Sequence, residues 1–147
     1  MKKLLLFTVF VSVCTFVILS CKKNKNSSGS CATVCKATLG SGETAATNPA
    51  AIQKAFTFTF KYGTGAGPFK DGDKATFTPT ADNKLVVSSG GKCVTIENPY
   101  SKTGSIEIYY RDKCVFNTTF AVVVYNNTVH EINLQDPNGT TFWGQFQ

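Results

Sequence analysis

The sequence predicts an all-β domain: a small antiparallel meander of about eight strands, closed as a β-barrel or a rolled β-sandwich, behind a flexible N-terminal tether. Three observations carry this. From residue 55 onward apolar residues recur with a period of two, the spacing of a half-buried strand. Turn residues (Gly, Asn, Asp, Pro) interrupt that pattern about every 10–15 residues, the interval expected of a sandwich or barrel. Almost no stretch carries the helical period.

The elements follow in order. Asn48-Pro49 reads as an N-cap and first helical position, with a turn or two over residues 50–54. In the first strand Phe56, Phe58 and Phe60 alternate with Thr57, Thr59 and Lys61, Phe inward and Thr outward. The glycine-rich run 63–68 breaks it. It reads as a loop and not a phosphate cradle, because no helix follows to supply N–H groups. Asp71-Gly72-Asp73 is a turn. As a calcium loop it fails, with Ala75 at the fifth position and Asp82 at the twelfth. Strands follow at 75–78, 85–87 and 93–96. Asn98-Pro99 opens a longer loop to Gly104, and the next strand is 106–110 with Ile106 and Ile108 inward. Arg111-Asp112 then turns into Cys114-Val115-Phe116. Residues 118–125 form the most β-prone run, Asn126-Asn127 a two-residue hairpin turn, and residues 128–134 the return strand. The last strand, 140–146, follows the turn Asp136-Pro137-Asn138-Gly139 and puts Phe142 and Phe146 inward.

The N-terminus carries a different pattern. Lys2-Lys3 precede an apolar run of sixteen residues, Leu4 to Leu19, and Ser20 precedes Cys21. A cationic start, an apolar stretch and a small residue at the cut make a secretory signal. Sixteen helical residues span only about 24 Å, short of a bilayer. The tetrad Ile18-Leu19-Ser20-Cys21 resembles the lipobox of bacterial lipoproteins, with an aliphatic residue at −3, a small one at −1 and Cys at +1. Leu19 at −2 departs slightly from that pattern, and Cys14 fits it worse because bulky Val13 precedes it. The resemblance covers residues 1 to about 25. It implies that residues 1–20 are removed, that Cys21 is the lipidation site, carrying diacylglycerol and an amide-linked acyl chain such as palmitate, and that the mature chain is anchored to a membrane. Two or more acyl chains hold a protein stably, where one binds marginally. By the same analogy Lys22 at +2 implies retention at the bacterial outer membrane, on its periplasmic face. Residues 21–48, rich in Lys, Asn, Ser, Gly and Ala, are expected to form the lipidated tether, and residues 49–147 the β domain.

The formal charge of +6 belongs to the signal and tether. From residue 37 onward nine Lys/Arg face nine Asp/Glu. A neutral domain gives no basic patch for nucleic acid.

Leaving Cys14 and Cys21 aside, Cys31, Cys35, Cys93 and Cys114 remain, an even set that reads as two disulfides in an exported chain, with three connectivities open. The favoured pairing is Cys31–Cys35, closing a local knot, and Cys93–Cys114, stapling two strands. A zinc site is the rival, disfavoured by the lack of a CxxC pair and by a single histidine; no metal or cofactor is expected.

His130 shares a face with Ile132 and Leu134 by alternation, so it reads as a partly buried histidine before a general base; no nucleophile motif or carboxylate pair stands beside it. Tyr109 and Trp143 fall on the outward parity, where aromatics stack on sugars or anchor a partner. The leading expectation is therefore a non-enzymatic envelope lipoprotein that binds an envelope protein or glycan, or serves a structural role. A lipocalin-like carrier of a small apolar ligand is the first alternative, from the meander and the nine Phe after the signal, and a hydrolase the second.

Overall fold

The computed structural model describes residues 31–61 and 68–135, with the backbone of 141–145. Cys21 and the signal, the 62–67 part of the glycine-rich run, the turn 136–139 and the side chains of Trp143, Phe142 and Phe146 lie outside the described residues.

Among the described residues eleven strands make two open sheets. They are β1 (Val34–Lys36), β2 (Glu43–Ala45), β3 (Phe56–Thr59), β4 (Lys74–Pro79), β5 (Leu85–Ser89), β6 (Lys92–Glu97), β7 (Tyr100–Lys102), β8 (Glu107–Asp112), β9 (Thr118–Tyr125), β10 (Thr128–Gln135) and β11 (Thr141–Gln145). Sheet I has the order β1-β6-β5-β4-β3 and sheet II the order β11-β10-β9-β8-β7-β2. Each is an antiparallel meander with one strand from the N-terminal segment added at an edge. Of the two closures expected from the sequence, the fold is a β-sandwich and not a barrel.

The inner faces follow the Phe/Thr alternation. Phe58, Phe60 and Phe77 from sheet I meet Phe120, Val122, Ile132 and Leu134 from sheet II, all nearly or fully buried. Phe69 and Phe116 reach in from the loops; Phe69 stacks on Phe60 at 4.3 Å and on Phe116 at 5.2 Å, and Phe77 meets Phe120 edge-on at 5.5 Å. Offset and edge-on pairs are the arrangements that ring quadrupoles favour. The hairpin turns are those their residues permit. Asn126 and Asn127 take φ of 50° and 55°, and Gly90 and Gly91 take 55° and 77°, the two consecutive left-handed residues of a type I′ turn. The turn at Asp71-Gly72-Asp73 also forms, with Asp73 Oδ2 accepting the Lys70 N–H at 2.8 Å.

Several expectations are corrected. Residues 31–48 are part of the sandwich and not a tether. β1 pairs in parallel with β6, Cys35 against Ile96, and β2 pairs antiparallel with β7, Glu43 against Lys102. Both strands are only three residues long, too short to show the apolar alternation by which strands are read, and backbone pairing holds them. Asn48 does not cap a helix. A single 3-10 turn spans Ala50–Ile52, Pro49 sits at its N-cap, and the Asn48 side chain points elsewhere. The Asn98–Gly104 loop holds β7. Arg111 and Asp112 continue β8, and residues 114–116 form a bend instead of a strand. Ile106 is not inward; it precedes β8 and is 68 % exposed. His130 does not share the face of Ile132. Val129 pairs with Val124 and Glu131 with Val123, so His130 is the extra residue of a β-bulge. The bulge resets the alternation, sending Val129 into the core and His130 to solvent.

Candidate functional site

The outward face of sheet II is the most chemically elaborated surface. Register sets residue positions in rows across the strands. Tyr100 pairs with Tyr109, Tyr109 with Ala121, Ala121 with Asn133 and Asn133 with Trp143. Both aromatics marked by parity thus lie in one row. On one side runs the row Glu107, Val123, Glu131, and on the other Arg111, Thr119, Gln135.

Tyr109 is not the exposed aromatic that parity alone implies. It is 3 % exposed, and Tyr100 1 %. Their rings stack at 5.3 Å with 19° between planes. Arg111 lies over Tyr100 at 4.7 Å and Lys102 over Tyr109 at 4.3 Å. Long cationic side chains, apolar along the stem, thus roof the pair. Parity gives the face a residue stands on, but not what neighbouring side chains cover it. Burial pushes the Tyr109 phenol up to about 12, helped by its hydrogen bond to the Glu107 carboxylate; Tyr100 is also pushed up by burial.

Arg111 is the tie between this face and the N-terminal segment. It donates to Thr38 O at 2.7 Å and to Tyr100 Oη at 2.9 Å, and pairs with Glu43. Glu43 also accepts the Gly40 N–H at 2.7 Å. Desolvation alone would raise the Glu43 carboxyl, but the Gly40 and Arg111 bonds outweigh it and hold the group below its ordinary value. At the other end of the face, Asn133 Nδ2 donates to Glu107 at 3.0 Å and to Glu131 at 3.2 Å, while Asn133 Oδ1 has no hydrogen-bond partner among the described residues. The face therefore offers planar amides, carboxylates and cations on a flat lattice, with its tyrosines beneath.

The four cysteines pair, but not as expected. The bonds are Cys31–Cys93 and Cys35–Cys114, with Cα separations of 5.7 and 5.8 Å. Cys31–Cys35 and Cys93–Cys114 are excluded because β1 runs parallel along β6. That brings Cys31 beside Cys93 and carries Cys35 on toward the end of β8. Both bonds thus fasten the N-terminal segment to the sandwich. Asp112, fully buried, turns the chain after β8. Its carboxylate accepts the N–H groups of Cys114 at 2.8 Å, Val115 at 3.1 Å and Phe116 at 2.7 Å. The ligand atoms of Cys35, Asp112 and Cys114 lie within 4.8 Å of one another, but the disulfide takes both sulfurs and leaves no zinc donor set.

Sequence reading gave Asn48 as a helix N-cap and missed its role as a buried junction. It is 5 % exposed and joins three segments: its N–H donates to Asn83 Oδ1 at 2.7 Å, its Nδ2 to Lys84 O at 3.1 Å, and its Oδ1 accepts from Tyr110 Oη at 2.9 Å. An Asn before Pro is the commonest of turn signals, so nothing in the sequence set it apart. Nearby, a cleft of about 180 Å³ is lined by Ala45, Asn83, Lys84, Glu97 and Asn98. Lys84 bridges Asp82 and Glu97, each at 2.8 Å. A second cleft, about 320 Å³, lies over Phe69 and Phe116, rimmed by Asp73, Lys74 and Lys92. His130 lines neither; it is exposed and packs edge-on against Tyr125 at 5.5 Å.

No helix among the described residues is long and apolar enough to cross a membrane. Comparison with protein-family models, with curated proteins and with solved structures finds no match to this chain in any of the three.

Proposed function

We propose that this chain is a lipid-anchored protein of the bacterial cell envelope, a non-enzymatic module tethered through acylated Cys21 to the periplasmic face of the outer membrane. One observation carries the reading: the lipobox-like Ile18-Leu19-Ser20-Cys21 directly follows a cationic start and an apolar run. Two features of the folded domain support it. Two disulfides belong to an oxidising compartment outside the cytoplasm. Cys31 is a cross-linked residue at the start of the described fold, only ten positions after Cys21, so a pull on the anchor meets a covalent bond before it meets β1.

The partner surface in this reading is the outward face of sheet II, offered to an envelope protein or glycan. The packing of the described core favours a surface over an enclosed ligand. Phe58, Phe77, Phe120 and Ile132 meet between the sheets where a carrier would keep its cavity. The experiment is fractionation of cells expressing the native chain and Cys21→Ser. The native chain should stay with membranes after a carbonate wash and Cys21→Ser should be released. Retention of Cys21→Ser would overturn the anchor.

A further inference from the structure

The two disulfides fasten one segment in different surroundings. We propose that Cys35–Cys114 is a thiol–disulfide exchange site, opened at Cys114 by an external thiolate, while Cys31–Cys93 is the lasting cross-link.

The polarity of the bond comes from burial. Cys114 is exposed and Cys35 is 4 % exposed, so a nucleophile reaches Cys114 Sγ. The attacking thiolate forms a new bond to Cys114 Sγ, the Cys35–Cys114 bond breaks, and its electron pair leaves on Cys35 Sγ. A second thiolate then attacks the reagent sulfur of the mixed disulfide. That releases the oxidised reagent and leaves Cys114 as a thiolate; two electrons have passed from two thiols to the protein.

The leaving sulfur is prepared for that charge. Cys35 Sγ already accepts the Lys113 N–H at 3.2 Å. It also lines a cleft of about 140 Å³ whose other walls are Lys36, Ala37, Thr38, Arg111 and Lys113. Lys36 and Lys113 border the cleft as cations, with Arg111 committed to Glu43, and a better-stabilised leaving thiolate departs faster. Two acids oppose them. Glu43 is engaged by Arg111. The Asp112 carboxylate lies within 4.8 Å of both sulfurs, but its two oxygens are occupied by three backbone N–H groups. Those same bonds hold the 112–116 turn in place without help from the disulfide, so the two sulfurs stay aligned and the exchange is reversible.

Cys31–Cys93 lacks these features. Cys31 is 9 % exposed and Cys93 half-buried. Among the described residues no hydrogen bond reaches either sulfur; the polar contact there is Cys31 N–H to Thr95 Oγ1 at 3.3 Å. The cation adjoining it in sequence is Lys92 alone.

The test is partial reduction of the folded mature protein, followed by rapid alkylation and peptide mass mapping. Mercaptosuccinate serves as the anionic thiol and cysteamine as the cationic one, at matched thiolate concentration. Cys35–Cys114 should open at least about tenfold faster than Cys31–Cys93, with the reagent first joined to Cys114. Mercaptosuccinate should outpace cysteamine, and the double variant Lys36→Gln/Lys113→Gln should lose that preference while keeping the native circular dichroism spectrum. The proposal is overturned if Cys31–Cys93 opens first or at the same rate, if neither bond opens before the protein unfolds, or if the reagent joins Cys35. Equal rates for the two thiols, or a charge preference that survives in the double variant, also overturn it.

Discussion

Tyr110 shows how one hydroxyl can tie β8 to the Asn48 junction. Its ring is fully buried, and its Oη donates to Asn48 Oδ1 at 2.9 Å. Tyr110→Phe keeps the ring and strands that buried acceptor, which should cost about 1–3 kcal/mol. The measurement is urea unfolding, with a lower midpoint and an unchanged slope. Phe120 is the apolar counterpart, in ring contact with Phe69, Phe77 and Phe116. Phe120→Ala should cost about 3–5 kcal/mol, read in the same way. Tyr109 sets an alkaline limit. Its folded value of about 12 exceeds the ordinary value of 10.0, so the folded state holds its proton more tightly than the unfolded chain. The resulting stability is complete below pH 10 and is lost as pH rises toward 12. Phenolate absorbance followed through that window should show Tyr109 titrating late, and thermal midpoints should fall across it.

At the scale of elements, strands with an alternating apolar face were legible and strands without one were not. Phe56-Thr57-Phe58-Thr59 and 118–125 announce themselves because one face must be buried. β1 and β2 do not, because Val34-Cys35-Lys36 and Glu43-Thr44-Ala45 are edge strands of three residues with little apolar surface. Backbone pairing, two disulfides and the Glu43–Arg111 pair hold them. All three depend on residues 55 to 79 positions away, which composition does not report. The His130 bulge was hidden for a related reason: one inserted residue reverses parity, and parity was the only guide there. The Asn126-Asn127 turn was legible because Asn tolerates positive φ. The outward face of sheet II was legible as a face through Tyr109, but its roof of Lys102 and Arg111 was not. If disulfides and not burial hold the N-terminal strands, removing one should be expensive. Cys31→Ala/Cys93→Ala opens a loop of 62 residues. By chain entropy this costs about 4 kcal/mol, measured as a fall in the denaturation midpoint. Acid should loosen β2 separately. Glu43 titrates below its ordinary 4.5, so its contribution is present above that pH and lost as pH falls through the lowered value. Hydrogen exchange at Glu43–Ala45 should rise in that window before the core strands respond.

At the scale of the whole molecule, the fold and the N-terminal sequence serve one arrangement. The described sandwich is disulfide-closed and near neutral, with ten Lys/Arg against nine Asp/Glu from residue 31 onward; β1 and β2 are locked on its two sheets, and nine residues lie between Cys21 and Cys31. In the proposed reading the anchor sets where the domain sits, and sheet II's outward face is the surface it would present there. Everything in that account depends on the chemistry at Cys21. The most direct measurement is the intact mass of the mature protein extracted from membranes, with sequencing of its N-terminal peptide. The account predicts a chain beginning at Cys21 that carries a thioether-linked diacylglycerol and an amide-linked acyl group. A chain that begins elsewhere, or that begins at an unmodified Cys21, would contradict it.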